Sequence, residues 1–302
     1  MSRIACLLIL LITLAWAGLV PAQFSPRSAQ STSAQPFSSQ FSPPSPSSSS
    51  STPWYPGRTL ETSLLFHPIK ANEGWVAPPA SSTIEDVWLK AADGNLIHAW
   101  CLERDRALGV ILFCHGNAGN LSYWRPEIVA FANKLGQSVL IFDYPGYGRS
   151  EGKPSELGCY RAADAAYDWL VQSRQWAPES ITIFGESLGG GVATDLAVRK
   201  PHRALVLTKT FTSVPDMAKK MPIASVSTSL VHNQFDNLQK IGRSSGPIFI
   251  AHGDHDRLIP LSQGQKLFQA AHEPKQFFVL KGCDHNDPYP ADFYTALGPF
   301  LK

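Results

Sequence analysis

Gly185-Glu186-Ser187-Leu188-Gly189 lies between an apolar β-type run, Ile181-Thr182-Ile183-Phe184, and a helix-like run from Gly190 to Lys200. The pentapeptide G-x-S-x-G alone occurs by chance in many proteins. Set between a strand and a helix, it predicts a nucleophile elbow: a turn that holds its serine at strained φ/ψ with Oγ lifted from the sheet edge. The two glycines fit that turn because a Cβ at either would collide with the adjoining strand or helix. The bland alternative is an ordinary serine at a Gly-rich helix start, and the partners found elsewhere in the chain argue against it.

Outward from the elbow, strands and helices alternate. Ile84–Leu89 and Leu96–Leu102 are β-type runs joined across Asp93-Gly94, a hairpin signal. Strands are then expected at Val110–Cys114, Ser138–Phe142, Ala204–Leu207, Pro247–Ala251 and Gln276–Leu280. Helices are expected at Arg125–Leu135, Glu156–Ser173, Leu261–Ala271 and Pro290–Leu301, the second with an apolar face through Ala162, Ala166, Trp169 and Leu170. Continuous apolar strands alternating with helices predict an α/β fold with a mostly parallel sheet covered on both faces. Phe211 to Ser245 breaks the alternation. It is short and contains Pro215 and Pro222, which predicts a minimal cap of one or two helices and an open site.

A serine hydroxyl is a poor nucleophile near neutral pH and needs a base. His285, in Gly282-Cys283-Asp284-His285-Asn286-Asp287 after the last strand, is the candidate. The base in turn needs a carboxylate to fix its tautomer. Asp254 and Asp256 both lie on the loop after Pro247–Ala251, and spacing alone does not choose between them. Either gives the chain order Ser, Asp, His. The loop after Val110–Cys114 is His115-Gly116-Asn117-Ala118-Gly119-Asn120. An oxyanion hole would draw one N–H from Leu188, behind the nucleophile, and one from Asn117. His115 is expected to pack under that loop. Asp143 to Ser150, which includes Tyr144, is expected to be a shaped turn lining the pocket, since its glycines match no phosphate-binding spacing. Glu186 is expected to line the pocket or support it. His252, Asp254, His255 and Asp256 invite a metal reading, but no helix-borne ligand pair accompanies them, and no metal or cofactor is expected.

The chain has 302 residues, formal net charge +2 and 44% hydrophobic residues, enough for one α/β domain of ordinary size. No basic stripe suggests nucleic acid. Arg3, the apolar run Cys6–Val20 and Val20-Pro21-Ala22 predict a cleaved export signal over residues 1–22. Membrane association enters only if that segment stays attached as an anchor. Residues 23–53, rich in Ser, Pro, Gln and Ala, are expected to be a tether that cannot bury enough apolar surface to order itself. The folded domain then spans 54–302. Outside the leader are Cys101, Cys114, Cys159 and Cys283, whose spacings match no disulfide framework or zinc site.

Taken as a set, the segments at His115–Asn120, Asp143–Ser150, Gly185–Gly190, His252–Pro260 and Gly282–Asp287 resemble the α/β-hydrolases. Within them the chain is similar to the serine aminopeptidase-like branch, and there to the small-cap group that includes the animal protein depalmitoylases. The resemblance covers Thr62 to the C-terminus. It implies Ser187 as nucleophile, Asp256 as acid, His285 as base, and Asn117 and Leu188 as oxyanion donors. Asp254 would then hold its loop through backbone N–H groups. It also implies a small-molecule or acylated substrate. Where the depalmitoylases carry an N-terminal cysteine cluster, this chain has an apolar leader and a Ser/Pro tether.

Overall fold

The computed structural model describes residues 56–80, 82–219 and 231–302. The expected leader and tether lie outside them, as do residues 220–230 of the expected cap. Eight strands form one sheet: β1 (Ile84–Lys90), β2 (Leu96–Leu102), β3 (Val110–Cys114), β4 (Ser138–Phe142), β5 (Ile181–Glu186), β6 (Ala204–Thr208), β7 (Ile248–Gly253) and β8 (Lys275–Leu280). Their spatial order is β8-β7-β6-β5-β3-β4-β2-β1. β2 runs antiparallel to both its neighbours, and the other pairs are parallel. The helices are α1 (Pro56–Leu65), α2 (Arg125–Leu135), α3 (Glu156–Gln172), α4 (Leu188–Arg199), α5 (Val214–Ala218), α6 (Asn237–Lys240), α7 (Leu261–Ala270) and α8 (Ala291–Phe300).

Successive side chains on a strand point to opposite faces, and here both faces are apolar. Val110, Leu112, Ile181 and Ile183 enter a core shared with α3 and α4. Ile111, Phe113, Phe184 and Val206 enter a second core with α2 and α8. That two-sided burial is why these strands read as unbroken apolar runs in the sequence. The hairpin between β1 and β2 turns at Gly94, whose φ of 87° favours glycine. Ser155 caps α3 by accepting from Gly158 N–H at 3.1 Å, and Gly136 ends α2 at φ 67°.

The cap region contributes the short helices α5 and α6 and a 3-10 turn at Ile241–Arg243. Its returning chain is clamped by two carboxylates. Glu61 accepts from the N–H of His232 (3.0 Å) and Asn233 (2.7 Å), and Glu156 from those of Gln234 (2.6 Å) and Phe235 (2.9 Å). Four consecutive backbone donors outside any helix or sheet are thereby satisfied. Among the described residues, no helix is long and apolar enough to cross a membrane. Cys101, Cys114, Cys159 and Cys283 are all free and buried. Burial pushes the Cys101 and Cys114 thiols up, which makes them inert packing residues rather than nucleophiles.

Candidate active site

The loops after β3, β5, β7 and β8 meet at the carboxyl edge of the sheet, beside the point where chain order reverses between β5 and β3. Helix α4 starts at Leu188, two residues earlier than the sequence pattern suggested, so the turn from strand to helix is confined to Ser187. Ser187 takes φ 54° and ψ −118°, a conformation that costs a non-glycine residue roughly 1–3 kcal/mol. The surroundings enforce it. Ser187 N–H donates to Thr208 O at 3.0 Å, and Thr210 Oγ1 donates to Ser187 O at 2.7 Å. A Cβ on Gly189 would lie 2.0 Å from Cys114 O, and one on Gly185 would lie 2.4 Å from Gly189 O. Helix α4 can therefore approach β3 and β5 so closely only through glycine at these two places, Gly189 against β3 and Gly185 on β5.

Ser187 Oγ lies 3.1 Å from His285 Nε2, and His285 Nδ1 lies 2.8 Å from Asp256 Oδ2. An ionised carboxylate only accepts, so Nδ1 carries the imidazole proton and Nε2 is left to accept from the serine hydroxyl. Asp256 Oδ1 is occupied by the N–H groups of Leu258 (3.0 Å) and Ile259 (2.7 Å). Burial alone would push the Asp256 carboxyl up. Hydrogen bonds from His252 and His285, the charge of His285 and the Ile259 N–H outweigh it and hold the group far below the usual carboxylate range. Asp254 stands elsewhere: its Oδ1 accepts from Gly282 N–H at 2.6 Å, pinning the loop of Asp256 to the loop of His285.

His252 lies under Asp256. It is fully buried, its Nε2–H donates to Ile259 O at 2.7 Å, and the same nitrogen lies 3.5 Å from Asp256 Oδ2. The sequence offered it only as a weak metal ligand. Its place beneath Asp256 depends on the turn His252–Ile259 folding back, which no local pattern announces.

The loop after β3 is held from several sides. Asn117 Nδ2 donates to Leu65 O at 3.0 Å, while Asn117 O accepts from His67 N–H (3.0 Å) and from Tyr147 Oη–H (2.7 Å). His67–Pro68 pairs in parallel with Ala118–Gly119. The Leu188 N–H opens α4, ahead of any intrahelical carbonyl that could accept it. His115 is fully buried under the loop, with its ring 4.4 Å from that of Tyr144. The turn Asp143–Ser150 packs behind this loop, Arg149 being its one exposed residue. Tyr144 and Tyr147 are fully buried, and the Tyr144 hydroxyl holds His115 O at 2.6 Å. Large aromatic rings with one polar tip serve here as posts under the loop. Gly116 is wedged between Trp124 and the elbow: a Cβ on it would sit 3.2 Å from Trp124 Cζ2 and 3.7 Å from Ser187 Cβ.

Glu186 faces inward. It is 6% exposed, accepts from the Tyr289 hydroxyl and lies 3.7 Å from Lys209 Nζ. Glu127, on the first turn of α2, feels the same cluster. Burial first, then the charge of Glu186, push its carboxyl from the ordinary 4.5 up to about 7. A folded value raised above the unfolded one gives stability that is complete below about pH 4.5 and is lost as pH rises through about 7. The melting temperature of the wild type is expected to fall across that window. Glu127→Gln should flatten that part of the profile, as measured by thermal melts at stepped pH.

A family model described as alpha/beta hydrolase fold matches residues 109–229. An uncharacterized protein of Mycobacterium tuberculosis is 37% identical over 217 residues, 70% of this chain and 76% of that protein. Human alpha/beta hydrolase domain-containing protein 17B is 31% identical over 207 residues, 68% of this chain and 70% of that protein. Among solved structures, an esterase of Pyrococcus furiosus superposes with a TM-score of 0.64 at 18% identity, covering 78% of this chain and 98% of that one. At that identity the superposition speaks for the fold alone. With the sheet order, the elbow and these relatives together, the chain belongs to the alpha/beta hydrolase family.

Proposed function

We propose that this protein is a serine hydrolase that cleaves carboxylic ester or thioester bonds of a small or acylated substrate through an acyl-enzyme on Ser187. The observation that carries the reading is the hydrogen-bonded series Ser187–His285–Asp256 with Ser187 in the elbow conformation. His285 Nε2 takes the Oγ proton as Oγ bonds to the carbonyl carbon. The N–H groups of Leu188 and Asn117 receive the developing oxyanion. As the tetrahedral intermediate collapses, the bond to the leaving oxygen or sulfur breaks and His285 returns the proton to it. Water repeats the cycle on the acyl-enzyme and restores Ser187.

Cleavage at a peptide N-terminus is less well supported. It needs an acidic group free to hold the substrate ammonium, and Glu186, the carboxylate beside the nucleophile, is already engaged by Tyr289 and Lys209. A binding module without catalysis would have no use for a strained serine aligned with a base. The apolar leader of residues 1–22 supports an exported enzyme. The test is turnover of p-nitrophenyl esters of increasing acyl length, with an aminoacyl p-nitroanilide alongside. Ester turnover with a chain-length optimum is expected, and turnover of the anilide alone would overturn the ester reading.

A further inference from the structure

Lys209 is a buried lysine, 2% exposed, in a backbone conformation that disfavours it: φ is 49°, in the left-handed region where glycine costs least. A lysine kept there at a steric cost implies a use for its side chain. Its backbone N–H donates to Ala251 O at 2.9 Å, on β7, the strand that runs into the acid loop. Its Nζ donates to Asp287 O at 2.6 Å, two residues beyond His285 on the base loop. The same Nζ lies 3.7 Å from Glu186 Oε1, next to Ser187, and 4.8 Å above the Tyr289 ring. Tyr289 closes the circuit by donating to Glu186 and sharing a 2.6 Å hydrogen bond with Thr208 Oγ1, whose backbone carbonyl holds Ser187 N–H. One residue thus touches the elbow, the acid strand and the base loop.

We propose that Lys209 is a positioning residue that straps the His285 loop to the nucleophile elbow, setting the distance from His285 Nε2 to Ser187 Oγ. The inference rests on the serine hydrolase reading. Two effects have to be separated. Lys209 neutralises a buried carboxylate, which is a matter of stability, because a buried charge left without its partner is strongly destabilising. Lys209 also bonds Asp287 O, which bears on where the base stands. Glu127 and Asp287 are the other acidic groups nearby, and neither replaces the bond to the Asp287 carbonyl.

The experiment compares full-length wild type, Lys209→Met and the double variant Glu186→Gln/Lys209→Met. For each, kcat per fluorophosphonate-titrated site, KM for a p-nitrophenyl ester and melting temperature are measured. Lys209→Met is expected to melt lower and to lose about 10²-fold in kcat at little change in KM, the scale of a base displaced by about 1 Å. The double variant carries no uncompensated charge, so its melting temperature should recover while kcat stays low. A double variant that recovers both would reduce Lys209 to a counter-ion and overturn the strap, as would a Lys209→Met enzyme with wild-type kcat. If wild type shows neither turnover nor labelling, the hydrolase reading falls and the strap with it. Labelled wild type with an unaffected variant overturns the strap alone.

Discussion

Ser187→Ala is expected to lower ester turnover by at least about 10⁴-fold while leaving the fold intact. The alanine keeps the backbone of the elbow and removes only the oxygen that faces His285 Nε2 at 3.1 Å. Whatever turnover survives would come from the oxyanion donors and from binding. Stability should hardly change, because Ser187 Oγ bonds no main-chain group of the elbow; those ties run through Ser187 N–H and Ser187 O. Turnover and a thermal melt on the same preparation check both halves. A variant that melts normally and keeps full activity would remove Ser187 from the mechanism.

Asp256→Asn comes second in size, with a loss of about 10⁴-fold in kcat expected from the tautomer it imposes. In the wild type the carboxylate accepts from Nδ1–H, which leaves Nε2 unprotonated. An amide NH2 in that place would make Nδ1 accept, move the proton to Nε2 and leave no base facing Ser187. Asp254→Asn should cost far less, because the amide oxygen can still accept from Gly282 N–H, the bond Asp254 makes at 2.6 Å. Steady-state kinetics on the two variants, two residues apart on one loop, separate the acid from the loop anchor. The reverse ranking would exchange their roles.

The pair also shows where the sequence stops informing. Both aspartates sit after the same strand, and only the path of the turn decides which one reaches His285. The central strands were legible because burial on both faces makes them continuous apolar runs, as in Val110–Cys114 and Ser138–Phe142, whose bounds agree with the structure. Strand ends were less so. β5, β6 and β7 run on through Glu186, Thr208 and His252-Gly253 because ladder hydrogen bonds are made by the main chain whatever the side chain's polarity. Helix α1 and the stretch at His67–Pro68 were not anticipated from the sequence; both meet the Asn117 loop, through Leu65 O and through the pairing of His67–Pro68 with Ala118–Gly119. Lys209 and Glu186 stand far apart in the chain, and nothing but the fold brings one charge against the other.

The elbow conformation of Ser187 and the loops that bring His285 and the two aspartates towards it follow local patterns in the sequence, whereas the posts beneath them leave none. Tyr144, Tyr147, His252 and Tyr289 act through one polar tip on a buried ring or through a single backbone carbonyl. Such contacts leave no periodicity, and an aromatic residue in a loop reads equally well as lining or as support.

The most direct measurement is fluorophosphonate labelling of the purified protein, followed by intact mass and peptide mapping. A serine made nucleophilic by His285 and Asp256 should take up one adduct, on the peptide containing Ser187, and Ser187→Ala should take up none. Labelling at another residue, or no labelling of a folded protein, would contradict an activated Ser187.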